Sequence, residues 1–433
     1  MARKMKASGI EWIGEIPTDF SLYKLKYLLS SPLCYGANES GTLYSDILPR
    51  YIRITDISPN GTLKNSGMLS LDESSAQNYM LHEGDILFAR SGATVGKSFI
   101  YHNYYGRAAY AGYLIKASFN RLVLPEFVYY YTCSSAYEIW KNSIFIQSTI
   151  QNIGADRYSN LPISVPNSID KQLRIVRYLN NFCSKFDAII YNLQTSIEDY
   201  KKLKQAVITQ AVTKGVRGER EMKDSGVEWI GEIPEEWNKC KLKNISIDIG
   251  DGLHGTPKFD DSGEVYFING NNFSSEYVEP KFDTKKLCLE ESLNYPKPEL
   301  TEQTIMISLN GSYGKVCLYR YFPMLLGKSA GYITLLPSIN RRYVRYYLSS
   351  TPAQIIMTLS LNGTTIPNLS LNTLYNFPTI LPSASEQAEI ADYLDAKCAE
   401  IDGLIAKKEQ LVKELEGYKK SLIYEVVTGK REV

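Results

Sequence analysis

The segment Gly92-Ala-Thr-Val-Gly96-Lys97-Ser98 places two glycines, a lysine and a hydroxyl in nearly the order of a nucleotide-cradling loop. Such a loop needs four residues between its glycines and a closing Ser or Thr for magnesium. Here three intervene, and the related stretch Gly311-Ser-Tyr-Gly314-Lys315-Val316 also lacks the hydroxyl. The spacing speaks against nucleotide hydrolysis. What remains is a glycine-rich loop that presents Arg90, Ser91, Thr94 and Lys97 to a phosphate backbone, with Asn310, Ser312, Tyr313 and Lys315 doing so a second time.

No other residue set assembles a nucleophile, a base and an electrophile. Asp248-Ile-Gly-Asp-Gly-Leu-His254 brings carboxylates near a histidine, reads as a polar turn, and has no partner elsewhere. Asp283-Thr-Lys285 is too short to mean a nuclease, and the Pro-Pro-aromatic tetrapeptide of amino-methyltransferases is missing. Three histidines supply a metal site or a Ser-His-Asp constellation poorly. The seven cysteines are odd in number, widely spaced and without a C-x-x-C pair, which predicts buried thiols in a reducing compartment. No apolar run reaches the 18 or so residues of a membrane span, so a cytoplasmic protein without a membrane role is expected.

Charge is unevenly placed. The formal net charge is +1, which alone argues nothing about nucleic acid. Between Asp85 and Glu126, however, there is no Asp or Glu, while Arg90, Lys97, Arg107, Lys116 and Arg121 are cationic. Between Glu302 and Glu386 there is again none, against Lys315, Arg320, Lys328, Arg341, Arg342 and Arg345. Tyrosines are interleaved in both tracts. A basic, aromatic face without carboxylates suits phosphate and base-edge contact. It makes Tyr105, Arg107 and Tyr110 candidates beside the first loop and Lys328 beside the second, with Lys258, Asn271 and Asn272, which precede the second tract, as further candidates.

The two tracts belong to a tandem repeat. Ser8-Gly-Ile-Glu-Trp-Ile-Gly-Glu-Ile-Pro17 returns as Ser225-Gly-Val-Glu-Trp-Ile-Gly-Glu-Ile-Pro234. Lys24-Leu-Lys26 returns as Lys241-Leu-Lys243, Ala111-Gly-Tyr113 as Ala330-Gly-Tyr332, and Ser148-Thr-Ile-Gln-Asn152 as Thr364-Thr-Ile-Pro-Asn368. At 433 residues the chain predicts more than one domain, and the register predicts one architecture used twice.

Each repeat closes on a stretch of another character. Residues 172–213 and 387–428 align without a gap and contain no proline. Apolar residues recur at steps of three and four, among them Leu179, Phe186, Leu193 and Tyr200, and Leu394, Ile401, Leu411 and Tyr418. That stripe predicts two long amphipathic helices that bury each other as an antiparallel coiled coil about a pseudo-two-fold. At 1.5 Å per residue, about 40 residues span about 60 Å, the length of a spacer. The remainder, rich in short apolar runs such as Asp85–Arg90 and Thr304–Leu309 with many Gly, Asn and Tyr, predicts mixed α/β (α+β) heads. The expected division is a first head at 1–165, a helix at 166–215, a linker at 216–224, a second head at 225–382 and a second helix at 383–433.

The repeated Gly-[Ile/Val]-Glu-Trp-Ile-Gly-Glu-Ile-Pro opening, Gly84-Asp-Ile-Leu-Phe-Ala-Arg-Ser-Gly-Ala-Thr-Val-Gly96, Thr365-Ile-Pro-Asn-Leu-Ser370 and the closing Tyr418-Lys-Lys-Ser-Leu-Ile-Tyr-Glu-Val-Val-Thr-Gly429 resemble the specificity subunit of Type I restriction-modification systems. The resemblance covers essentially the whole chain. It implies a non-catalytic DNA reader with two target recognition domains, each binding half of a bipartite asymmetric site, and helices that fix the unread spacer. It further implies double-stranded DNA, two modification subunits and restriction/translocase subunits as partners. S-adenosylmethionine, ATP and magnesium would then sit on those partners, with no cofactor in this chain. Trp12 and Trp229 of the repeated openings are the expected partner contacts. The first repeat departs from the pattern with Ile150-Gln-Asn-Ile-Gly154, so that corner of its head is expected to differ in shape or partner contact.

Physical reasoning agrees, since successive major grooves of a duplex lie about 34 Å apart and two heads on a rigid spacer match that geometry. A net charge of only +1 leaves much of the phosphate clamp to the partners. Three competing readings remain: the specificity subunit of a fused, Type IIB-like restriction-methylation enzyme, a nucleotide-binding protein dependent on Lys97, and a coiled-coil adaptor with no DNA role.

Overall fold

The structure is a computed structural model that describes residues 3–58, 61–146, 152–361 and 367–433. Two compact units emerge: Met1–Gln194 together with Gln410–Val433, and Thr195–Glu409. The division runs through the two long helices and not through the stretch 216–224, part of which is ordered as a strand.

Unit 1 contains β1 (Met5–Ala7), β2 (Glu15–Pro17), β3 (Phe20–Lys24), β4 (Cys34–Tyr35), β5 (Thr42–Leu43), β6 (Arg50–Ile52), β7 (Leu69–Ser70), α1 (Glu73–Ala76), β8 (Ile86–Ala89), β9 (Ser98–Ile100), β10 (Ala108–Tyr110), β11 (Leu114–Ala117), α2 (Pro125–Thr132), α3 (Ser135–Ile146), α4 (Ala155–Ser159) and β12 (Pro162–Pro166), then enters α5 (Ile169–Lys214). Unit 2 contains β13 (Met222–Asp224), β14 (Glu232–Pro234), β15 (Asn238–Lys241), β16 (Ser246–Asp251), β17 (Val265–Ile268), β18 (Lys286–Leu287), α6 (Leu289–Leu293), β19 (Thr304–Ser308), β20 (Val316–Leu318), β21 (Met324–Leu326), β22 (Ala330–Leu335), α7 (Arg341–Ser349), α8 (Thr351–Leu359), α9 (Leu371–Tyr375) and β23 (Pro378–Leu381), then enters α10 (Ala384–Val427).

The duplication read from sequence is a duplication of topology. Sheet order β4-β11-β8-β9 in unit 1 matches β16-β22-β19-β20 in unit 2, and β10-β6-β7 matches β21-β17-β18. In both, one parallel pair (β10 with β6, β21 with β17) stands among antiparallel neighbours. The repeated opening folds as the small pair β1-β2 and again as β13-β14. Its glycines are required there: Gly9 and Gly14 lie at φ 77° and 69°, and Gly226 and Gly231 at 64° and 68°, a region costly for any side chain.

Each head is fastened to the start of its helix by a buried glutamine. The Gln172 amide oxygen accepts from Leu124 N–H at 2.8 Å, and its nitrogen donates to Leu122 and Pro166 carbonyls at 2.9 and 3.0 Å. Gln387 repeats this with Asn340 N–H at 3.0 Å and the Pro382 carbonyl at 2.9 Å. Such groups are tolerated inside only because their hydrogen bonds are made.

Helix α5 runs for 46 residues and α10 for 44. In unit 1 the start of α5 (Ile175, Leu179, Cys183) and the end of α10 (Leu422, Ile423, Val426, Val427) enter one core with Phe20, Phe127 and Ile163. In unit 2 the end of α5 (Ile208, Ala211, Val212) and the start of α10 (Ile390, Leu394, Cys398) do the same with Trp237, Tyr343 and Ile380. Within unit 2, Lys204 meets Asp402 while Lys408 lies over the Tyr200 ring, so one helix ascends as the other descends.

Of the expected stripe, Leu179, Leu394 and Ile401 are buried, Phe186, Leu193 and Tyr200 are half-buried, and Leu411 and Tyr418 are 42% and 50% exposed. Leu411 is a correction, since Val412 turns inward in its place, whereas Tyr418, though half exposed, meets the other helix with its ring tilted 36° and 5.6 Å from that of Phe186. A 3.6-residue helix drifts against any strict seven-residue pattern, so the seam moves along its surface.

Candidate nucleic-acid interface

In unit 1 the hairpin β8–β9 carries the glycine-rich loop. Its backbone closes on itself: Val95 N–H donates to Gly92 O, Gly96 N–H to Ala89 O at 2.8 Å and Lys97 N–H to Thr94 O. Those three N–H groups are spent within the loop, which is also one residue short of a nucleotide loop. It does position side chains. Arg90 lies with its guanidinium 4.9 Å over the Tyr35 ring, and its Nε is buried with no hydrogen-bond partner. The Tyr35 hydroxyl accepts from Ala155 N–H at 3.0 Å, which ties the platform to α4. Ser91 pairs with Asn152 as an isolated bridge. Lys97 is half-buried and Thr94 lies beside it, and Lys97 has no ion pair among the described residues.

The second head repeats the arrangement. Asn310 pairs with Asn368 as Ser91 does with Asn152. Gly314 N–H donates to Ser308 O at 2.8 Å, and Lys315 N–H donates to the Ser308 hydroxyl at 2.9 Å. Ser312 and Lys315 are exposed, and Tyr313 reaches Thr358 at 3.4 Å. Gln151 and Ile366, within the stretches where the two repeats differ, lie outside the described residues, whereas Pro367 is described and its carbonyl accepts from Gly311 N–H at 3.4 Å.

Some sequence candidates are structural. Tyr110 is fully buried, its hydroxyl donating to Cys34 O at 3.3 Å, so it packs the core and offers no surface. Asn272 is buried too: it accepts from Asn269 N–H at 3.0 Å and donates to the Thr284 hydroxyl at 2.8 Å, holding a turn while its neighbour Asn271 stays exposed. Tyr105 packs beneath the 102–106 loop, and burial pushes its hydroxyl up to about 12. Arg107 is exposed and ion-paired with Glu73, while Lys116 turns inward to within 3.9 Å of Asp85. Lys258 and Lys328 are exposed. Of the interleaved tyrosines, Tyr343 and Tyr347 are core residues of α7, donating to the carbonyls of Ile380 at 2.8 Å and Pro378 at 2.7 Å.

The cations left without an ion pair among the described residues include Arg90, Lys97 and Arg121 in unit 1 and Lys315, Arg320 and Lys328 in unit 2. Sequence reasoning passed over Tyr35, for which no local signal exists, and over Arg121 and Arg320 as individual candidates, though the missing carboxylates pointed to both. His254 pairs with Asp251 at 2.7 Å and Asp248 accepts the Tyr332 hydroxyl at 2.9 Å, a self-contained polar turn. Among the described residues no group of His, Cys, Asp and Glu could hold a metal, and no helix is long and apolar enough to cross a membrane.

The two tryptophans differ. Trp12 is half-buried against the unit 1 core, and its carbonyl accepts the Tyr424 hydroxyl at 3.3 Å. Trp229 is 44% exposed at the edge of an open, largely apolar groove of about 830 Å³ formed with Gln205, Thr209 and Thr213 of α5 and Pro352.

The sequence matches the family described as Type I restriction modification DNA specificity domain over residues 44–199 and 234–414, one match in each repeat. The Type I restriction enzyme MjaVIII specificity subunit of Methanocaldococcus jannaschii is 26% identical over 361 residues, which are 81% of this chain and 80% of that protein. The putative type I restriction enzyme MjaX specificity subunit of the same organism is 26% identical over 433 residues, 96% of this chain and 95% of that one. Among solved structures, a chain from work on complex assembly and conformational transition of the type I R-M system shares the fold. Its TM-score is 0.72 at 16% identity, over 96% of this chain and 99% of that one. With more than half of its length matched, and in tandem, this chain belongs to the family of Type I restriction-modification DNA specificity subunits, the non-catalytic component of those systems.

Proposed function

We propose that the two heads, at about residues 1–165 and 225–382, each read one half of a bipartite asymmetric DNA site. The observation that carries this reading is the repeated β-hairpin loop, anchored by Ser91–Asn152 in one head and Asn310–Asn368 in the other, beside cations with no carboxylate partner among the described residues. Because the loops differ in side chains (Arg90, Thr94 and Lys97 against Asn310, Tyr313 and Lys315), the half-sites differ in sequence. Arg90, Lys97, Lys315 and Lys328 contact phosphates, which positions the side chains that face base edges.

Helices α5 and α10, about 69 and 66 Å long at 1.5 Å per residue, set the unread spacer. Two modification subunits dock on their outer faces, and the groove at Trp229 takes one such contact. Those subunits bring S-adenosylmethionine and methylate adenine. Restriction/translocase subunits bring ATP and magnesium.

The test is co-expression with the modification subunit of the neighbouring gene, followed by genome sequencing that reports methylated adenine. A single bipartite motif with a fixed spacer is the expected result. A stable complex that leaves no motif would sink the reading and favour an adaptor.

A further inference from the structure

In both heads the strand that follows the glycine-rich loop ends in a second loop, 101–107 between β9 and β10 and 319–323 between β20 and β21. Each of these loops holds a tyrosine far out of the fold: Tyr104 is 77% exposed and Tyr321 is 83% exposed. Scattered exposed aromatics are ordinary. Recurrence at one topological position in two heads whose loops otherwise differ is not.

The ring of Tyr104 stands on a stiff base. It lies 4.3 Å from the Tyr105 ring, which lies 5.5 Å from the buried Phe99, and His102 stacks on Tyr104 at 5.3 Å and 16°. A ring already held in place loses little entropy on binding. The carboxylates that meet this loop among the described residues are engaged: Glu83 accepts from Asn103 N–H and pairs with His102 Nδ1, both at 2.6 Å, and Glu73 pairs with Arg107. In unit 2, Tyr321 is flanked by exposed Arg320, and its neighbour Phe322 anchors the loop by packing edgewise on Tyr266 at 5.9 Å. Both loops fall inside the acid-free tracts. Strands β9 and β20 are three residues each, about 10 Å, so a single major groove about 12 Å wide can meet the glycine-rich loop at one end and the tyrosine at the other.

We propose that Tyr104 and Tyr321 are stacking residues, each laying its ring against a nucleobase at a loosened step of the duplex, one in each half-site. The inference rests on the DNA reading above and adds to it the group that grips a base through its π-face. It separates two tasks in each head: the loop beyond β8 or β19 holds the backbone, and the loop beyond β9 or β20 holds a base.

The experiment uses the full-length chain in complex with its modification subunits, and duplexes carrying the methylated motif with 2-aminopurine placed at successive positions. Tyr104→Ala and Tyr321→Ala are expected to weaken binding about five- to 150-fold. Each should abolish a 2-aminopurine fluorescence change confined to its own half-site, while Tyr104→Phe and Tyr321→Phe keep both. Thermal melting unchanged from the wild type shows that the variants fold. Alanine variants that bind and fluoresce as the wild type does, or phenylalanine variants that lose as much as alanine, overturn the assignment alone. A wild-type complex with no preference for the motif duplex removes the DNA reading and this assignment with it.

Discussion

The Lys204 ammonium donates to both carboxylate oxygens of Asp402, at 2.8 and 2.6 Å, and the pair is the repeat image of Lys419 donating to Asp187 at 2.5 Å. One ion pair thus recurs where each unit joins an α5 segment to an α10 segment. Both partners are partly exposed, so each pair contributes no more than about 1 kcal/mol. Its use is to fix register. Asp402→Lys should cost about 0.5–1 kcal/mol in urea unfolding through like charge, and Lys204→Asp added to it should restore most of the loss. A double variant no better than the single one would show that the pair specifies nothing.

A larger effect is expected at Glu386. It is buried, lies 2.6 Å from Arg220 Nη2 and accepts the Trp237 indole N–H at 3.0 Å, while Arg220 also stacks over that indole at 5.2 Å. In unit 1 the equivalent positions are Lys171, Arg3 and Phe20, with Asp19 supplying the anion. Glu386→Ala leaves the buried Trp237 indole N–H without its acceptor while Arg220 keeps Glu236 at 2.8 Å, so it should destabilise by about 1–3 kcal/mol, read from the unfolding midpoint. Lys171→Ala, at a more exposed clasp, should cost far less.

Lys97→Ala and Lys315→Ala should each weaken DNA binding by the assembled complex on every sequence and reduce its salt slope by about one. Tyr110→Ala should act differently. It removes a fully buried ring, costs about 3–5 kcal/mol of stability and leaves the salt slope of the folded fraction alone. An unchanged slope for either lysine variant would misplace its loop.

Thiol reactivity provides a check on the cores. Burial pushes the Cys183 thiol up to about 11 and Cys317 up to about 12, whereas Cys34 is exposed. Because only thiolate reacts, at pH 8 about one Cys183 in a thousand would be reactive even with free access. A chromogenic disulfide reagent should therefore modify Cys34 quickly, with Cys183 and Cys317 reacting only on unfolding. Raising the pH through 10 to 12 favours the buried thiolates and should narrow the gap.

The duplication, the helices and the antiparallel pairing were legible because a repeated sequence and a 3.6-residue period survive without tertiary knowledge. Strands at 86–89 and 304–308 were legible as short β-favouring apolar runs between polar turns, the second flanked by Thr304 and Ser308. The choice of inward residue was not: Leu411 and Val412 are adjacent and alike, and only the course of the partner helix decides between them. Tyrosine was ambiguous in another way. Tyr110 and Tyr104 have one chemistry, and what separates them is place: Tyr110 lies within β10, and Tyr104 in the loop before it. Tyr343 and Tyr347, four apart on α7, carried a helical spacing that already argued for burial.

Unit 1 closes with the last turns of α10, so the head encoded first is completed last. Leu179 and Cys183 wait for Leu422 and Val426, about 240 residues further along the chain. At 5–20 residues per second a ribosome takes roughly 10–50 s to supply them. Over that interval the apolar face of the first helix is uncovered in the growing chain, open to holding proteins and to the same face of another nascent copy. Unit 2 draws its share of α5 from residues already made and has no such delay. The two heads, alike in plan, therefore differ in how long each stays unfinished during synthesis.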